Sequence, residues 1–179
     1  MMSFVWFVCA DDEEDLLKYI NIYRTTLNLP ALEENGNADC LAEDIAEHLR
    51  KKKCQDFGDY YPAPGSNSKI PNFQKSVDKC KIDANTTKDG VIMPLCVPGL
   101  DSDDLFSNYT KSNRYTKYLN SSKYKIAGVG SEENWMVLIL STNSSSGSFS
   151  SATSLLAEAW KSHFLALIFF FSTILVLFN

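Results

Sequence analysis

The sequence predicts an α+β domain: a helix-rich N-terminal half, closed by a small antiparallel sheet and tied by disulfides. Three observations predict it. Apolar residues recur at helical spacing through the first half of the 179-residue chain. Two β-type runs, 125–130 and 135–142, stand near its end with "SEEN" turning between them. Cys40, Cys54, Cys80 and Cys96 are widely spaced and form no CxxC pair, so they read as two disulfides of an oxidising compartment and not as a zinc site. The length suffices for one domain with a real core.

The acidic run Asp11-Asp12-Glu13-Glu14-Asp15 suits the positive end of a first helix. Leu16, Leu17, Ile20, Tyr23, Arg24 and Leu27 continue it at helical spacing, and Pro30 ends it by forcing Leu29 out of helical geometry. A second helix is expected over 37–53, with Cys40, Leu41, Ile45, His48 and Leu49 on one stripe and Ala42 and Ala46 allowing close approach. The run Arg50-Lys51-Lys52-Lys53 reads as its solvated last turn, where cations suit the dipole. Gly, Pro and Ser make 55–72 a loop. Phe73, Val77 and Cys80 mark a short third helix, and "VIMPLC" an extended segment. Asp101 or Ser102 caps a further helix with Asp103 and Asp104 in its first turn. The last strand is apolar on both faces over 136–140, which places it centrally in a covered sheet.

Both ends read as addresses. Residues 1–10 resemble the apolar core and cleavage end of a secretory signal; the run is short and no Lys or Arg precedes it, so a truncated signal is expected. At the other end, 164–178 is apolar except for Ser172 and Thr173. It reaches about 22 Å as a helix, short of a hydrocarbon core of about 30 Å. A small-residue stretch, a spacer and a terminal apolar tail form the layout of a GPI attachment signal. The expected division is an extracellular domain over 11–143, a Ser/Gly-rich linker over 144–151, and a removed propeptide over 152–179. Ser151 best satisfies the spacing for lipid attachment, followed by Ala152 and Thr153, with Ser150, Ser146 and Gly147 as rivals. Sequons at Asn85, Asn108, Asn120 and Asn143 are the expected N-glycosylation sites. Together these features place the protein on the outer leaflet of the plasma membrane.

If Cys40 and Cys54 share one continuous helix they lie about 20 Å apart, too far to pair. Two pairings then stay open: 40–80 with 54–96, or 40–96 with 54–80.

Catalytic signatures are weak. A Ser-His-Asp triad would need His48, which sits at a helical position beside Leu49, and no G-x-S-x-G occurs. The acidic pairs Glu33-Glu34, Asp103-Asp104 and Glu132-Glu133 fall at turns or helix starts, where acids are expected structurally. A net charge of −5 gives no basic nucleic-acid face. Most tyrosines read as core or rim. Tyr60 and Tyr61, in the Pro/Gly loop, are the best candidates for ligand contact. No catalytic, cofactor or metal residues are assigned.

The blocks "DLLKYINIYRTTLNLPALEENGNADCLAEDIAEHL", "KDGVIMPLCVPGL" and "YLNSSKYKIAGVGSEENWMVLILST" resemble the plant family of uncharacterised GPI-anchored membrane glycoproteins. More distantly, Asn21, Arg24, Leu29-Pro30, Leu32 and Leu41-Ala42 are similar to the opening helices of the CAP superfamily (cysteine-rich secretory, antigen 5, pathogenesis-related 1). That resemblance implies an α-β-α sandwich and lipid or sterol binding. CAP domains that bind metal use two histidines and two acids. Here the first histidine position is Ile20 and the mature chain keeps only His48, so a two-histidine site is not expected. The function expected is a non-enzymatic surface glycoprotein binding an apolar ligand, a wall component or another surface protein. The alternative is a wall-modifying hydrolase using a carboxylate pair.

Overall fold

The computed structural model describes residues 9–57 and 60–152. Most of the signal-like stretch 1–10, residues 58–59, and 153–179 with its apolar tail 164–178 lie outside them. The helices are α1 (Cys9–Thr26), α2 (Gly36–Leu49), α3 (Phe73–Lys79), α4 (Ser102–Lys111) and α5 (Thr116–Leu119); the strands are β1 (Glu33–Glu34), β2 (Val91–Cys96), β3 (Ile126–Glu132) and β4 (Trp135–Ser141). The sheet order is β1-β3-β4-β2.

Strand β4 is central, as its two apolar faces predict. Met136, Leu138 and Leu140 join one core with Leu16 and Ile20 of α1, Leu105 and Tyr109 of α4, and Leu119 of α5. Trp135, Val137 and Ile139 face the other side and join Leu41, Ile45 and Leu49 of α2 and Val77 of α3. Period-two alternation thus feeds two cores from one strand, and the molecule is a three-layer α-β-α sandwich. Helix α2 lies directly on β3. A Cβ on Gly130 would stand 2.1 Å from the Glu43 nitrogen, and one on Gly128 2.3 Å from the Ala38 carbonyl carbon.

The sheet is antiparallel except at one edge. β1 pairs parallel to β3, with Glu33 opposite Ile126. Two acids after a proline turn give no strand signal, and tertiary contact makes this pairing. The turn before β1 is held by α1. Asn21 Nδ2 donates to the Leu32 carbonyl, and the Leu32 N–H donates to Asn21 Oδ1. Arg24, fully buried, donates from Nε to the Pro30 carbonyl, from one terminal nitrogen to Leu119 and Ser121, and from the other to Tyr124.

Helix α2 is shorter than expected. Asn35 caps it, accepting from the Asn37 and Ala38 N–H groups, and it ends at Leu49. Cys54 therefore sits in a separate helical turn, Cys54–Phe57. Cys40 pairs with Cys80, tying α2 to the end of α3, and Cys54 pairs with Cys96, tying that turn to the end of β2.

The segment expected as a linker is instead a strap laid over the body. Phe149 is buried within the α2 core. Asn37 Nδ2 donates to the Phe149 carbonyl, Asn35 Nδ2 to Ser148, and the Asp83 N–H to Ser150. The Asp89 carboxylate accepts from the hydroxyls of Thr142, Ser144 and Ser146. Ser151 bridges to Ile82, and the Ala152 N–H donates to Lys81. Small side chains let the strap lie close: a Cβ on Gly147 would stand 2.2 Å from Thr142 Oγ1.

Candidate functional site

Of the two candidate contact tyrosines only one faces solvent. Tyr61 is 63 % exposed, with the Arg114 guanidinium 4.7 Å from its ring centroid. Tyr60 corrects the expectation: its ring packs in the α2 core and its hydroxyl donates to the Ile92 carbonyl. A loop tyrosine with a backbone acceptor beneath it gains more by burial than by exposure. Asn85, Asn108, Asn120 and Asn143 are all exposed. Asn85 Nδ2 donates to Asp83, Asn108 Nδ2 to the Asp104 carbonyl, and Asn120 Oδ1 accepts from the Tyr23 hydroxyl.

Two concavities flank the start of α3. The first, of about 550 Å3, lies between α2 and α3 and is lined by Arg50, Lys51, Lys52, Lys75 and Lys79 with Asp44, Glu47, His48 and Asn72. Its acidic element is Asp44, which is 4 % exposed. Lys79 Nζ donates to Asp44 Oδ1, and His48 Nδ1 stands 3.3 Å from Oδ2. Burial alone would raise this carboxyl. The Lys79 ammonium, with the Ser76 hydroxyl and His48, holds it below its ordinary value, while the same contact raises Lys79. Asp44 is thus a fixed counter-ion rather than a proton donor. The second concavity, also about 550 Å3, shares Asn72 and Lys75 and continues past Asn67, Ile70 and Phe73 to Ala84, Thr87 and Lys88.

A third concavity, of about 350 Å3, is acidic. Glu13 and Glu14 of α1, Glu34 of β1, and Asp39 and Glu43 of α2 surround Leu17 and Val129. Of the acidic pairs legible in the sequence only Glu33-Glu34 contributes here. Asp103 and Asp104 occupy the first turn of α4, and Glu132 pairs with Arg50 at 3.1 Å. In the sequence Glu13 reads only as part of the acidic start of α1, and Asp39 and Glu43 only as positions one helical turn apart; the two helices bring all three to β3. Asp39 Oδ1 accepts from the Val129 N–H and Glu13 accepts from the Ser131 hydroxyl. Among the described residues no group of three acidic, histidine or cysteine side chains is placed to hold a metal ion.

Burial pushes the Asp39 carboxyl up from 3.8 to about 6; the Val129 N–H opposes this, while Glu34, Glu43 and Glu13 add repulsion. A carboxyl raised by folding stabilises the fold below its unfolded value, and that contribution is lost as pH rises through about 6. Asp39→Asn is therefore expected to stabilise the protein by about 1 kcal/mol near pH 7.5, solvent screening of this half-buried carboxyl reducing the effect, and to change little near pH 4. Thermal unfolding at both pH values checks it, and an equal shift at both would show that charge is not the cause.

A family model described as "Uncharacterized GPI-anchored protein At5g19230-like domain" matches residues 13–140. The chain is 42 % identical over 144 residues to Uncharacterized GPI-anchored protein At3g06035 of Arabidopsis thaliana, covering 80 % of this chain and 72 % of that protein. Among solved structures it is similar to an extracellular protein containing an SCP domain from Bacillus anthracis, with a TM-score of 0.56 and 13 % identity over 74 % of this chain and 41 % of that one. It is also similar to a cysteine-rich secretory protein from Staphylococcus aureus, with a TM-score of 0.54 and 15 % identity over 75 % of this chain and 39 % of that one. The chain spans about two-fifths of the length of each bacterial protein. At these identities the likeness is one of fold, the CAP-type sandwich.

Proposed function

The chain belongs to the At5g19230-like family of GPI-anchored proteins of the outer plasma-membrane leaflet, and from that premise we propose that it is a non-enzymatic surface glycoprotein. It is tethered through a GPI lipid attached at or next to Ser151, carries N-glycans on its exposed sequons, and binds a component of the cell wall. The strap supports a short tether. Residues 144–152 are committed to the body, so the lipid would hold the α2 N-terminal end of the domain at the bilayer rather than on a stalk.

The observation that carries the non-enzymatic reading is the make-up of the α2–α3 cleft. Cations line it, and its buried carboxylate is paired through Oδ1 with Lys79, while Oδ2 accepts no hydrogen bond and lies 3.3 Å from His48 Nδ1, which meets the Asp44 carbonyl instead. Such a cleft supplies contacts without a nucleophile paired to a base. Its charge favours a polar wall ligand over the lipid or sterol that CAP kinship suggests. Among the described residues no helix is long and apolar enough to cross a membrane.

Treating intact cells with phosphatidylinositol-specific phospholipase C is expected to release the protein. Protein that stays on washed membranes would remove the lipid tether. Released protein incubated with wall polysaccharides is expected to create no new reducing ends. Their appearance, abolished by Asp39→Asn or Glu13→Gln, would instead make the chain a hydrolase working from the acidic concavity.

A further inference from the structure

The two concavities beside α3 are one surface. They meet at Asn72 and Lys75, and together they run from the end of α2 past α3 to Lys88. Five cations and two carboxylates line the first part, on a chain whose net charge is −5. Charge has been segregated here against the overall balance. Arg50 and Lys79 are committed to Glu132 and Asp44. Lys51, Lys52, Lys75 and Lys88 are exposed and make no ion pair among the described residues. Between these cations Phe73 offers a half-buried ring. Below them Asn67, 6 % exposed, donates through Nδ2 to the Thr87 carbonyl while its Oδ1 has no hydrogen-bond partner.

We infer that this track binds a linear polyanionic polysaccharide, one bearing a carboxylate on successive sugars. Lysine ammonium groups on flexible stems follow spaced charges, whereas a single fixed oxyanion calls for an arginine fork or a ring of backbone N–H groups. A track of two joined clefts fits a chain of sugars, whose apolar ring faces can lie on Phe73. The inference rests on the extracellular placement proposed above, and that placement argues against a bilayer as the occupant. Anionic lipids concentrate in the cytoplasmic leaflet. Lys88 lies at the strap end of the track, beside Asp89, but Lys51 and Lys52 follow the far end of the 14-residue helix that the strap meets at Asn37, about 20 Å along it. That distance exceeds the screening length of about 8 Å at physiological salt.

Full-length protein, solubilised from membranes in detergent with its glycans, tests this on immobilised polygalacturonate, a neutral glucan and phosphatidylserine vesicles. Retention is expected on polygalacturonate alone and is expected to fall as salt rises, because counterion release drives it. The triple variant Lys51→Gln, Lys52→Gln, Lys75→Gln is expected to bind about tenfold more weakly with an unchanged melting temperature. A charge-matched control, Lys111→Gln, Lys117→Gln, Lys125→Gln, is expected to bind as the parent does. Equal binding by the parent and the triple variant overturns the inference, as does equal retention on the neutral glucan. Stronger retention on vesicles overturns it in favour of a membrane surface. Phospholipase release is scored on the same membranes before solubilisation: binding without release removes the tether and leaves the track, and release without binding does the reverse.

Discussion

Arg24→Met is expected to lower the unfolding free energy by about 3–5 kcal/mol. Arg24 is fully buried, and its guanidinium donates to four backbone carbonyls at 2.6–3.2 Å. Those carbonyls belong to three places far apart in sequence: the turn after α1 at Pro30, the end of α5 at Leu119 and Ser121, and Tyr124 just before β3. One planar group with five N–H donors therefore fixes where α5 ends and where β3 begins. Burial lowers its pKa, but an arginine starts high enough to stay charged. Methionine fills much of the volume and leaves four carbonyls without their donor; those of Leu119 and Tyr124 are buried and cost about 1–3 kcal/mol each, while those of Pro30 and Ser121 are part-buried, within reach of water. Lysine would keep the charge and lose the fork, so Arg24→Lys is expected to recover only part of the loss. Urea unfolding with the disulfides intact measures both. A loss below about 1 kcal/mol for methionine would mean that water replaces the guanidinium at the carbonyls.

Phe149→Ala is expected to cost about 3–5 kcal/mol and to loosen the strap. The ring is 1 % exposed and fills the α2 core at the point where Gly90 leaves room for it. A Cβ on Gly90 would stand 2.7 Å from the ring, so Gly90→Ala is expected to displace the same side chain from the opposite side. Phe149 is the large apolar anchor in a stretch, 144–152, otherwise made of serine, glycine and alanine. Its backbone N–H donates to Thr86 and its carbonyl accepts from Asn37. Limited proteolysis reads the result directly. The parent is expected to resist cleavage within 144–152, and Phe149→Ala to be cut there. Resistance in the variant would show that the Asp89 and Asn37 hydrogen bonds hold the strap without the ring.

The same two residues show how far the chain could be read. Arg24 was legible as part of an opening helix, because helical spacing is local. Its partners were not, because carbonyls carry no sequence signal. Composition reads 144–151 as a linker because it reports average solvation, while the burial of one phenylalanine lays the segment on the body. The run Arg50-Lys51-Lys52-Lys53 reads as the last turn of α2, but the helix ends at Leu49 and these residues lie beyond it. Tyr60 and Tyr61, adjacent and chemically alike, part company by which face of the loop meets Ile92. The acidic concavity brings Glu13 of α1 to Asp39 and Glu43, which stand one turn apart on α2; spacing aligns that pair but cannot announce the acid from the other helix.

By itself the sequence determined the class of the domain, the helices α1, α2 and α4, the closing hairpin, the central place of β4 and the disulfide-bonded, GPI-anchored character of the family. These are local or compositional: periods of 3.6 and 2, capping residues, cysteine parity, a small-residue stretch before an apolar tail. Only the tertiary structure decided which cysteines pair, that β1 joins the edge of the sheet, that the Ser-rich segment lies on the body, and that lysines from the end of α2, from α3 and from the turn at Lys88 share one surface. Those outcomes depend on side chains remote in sequence becoming neighbours, and their energies arise only after the layers have packed.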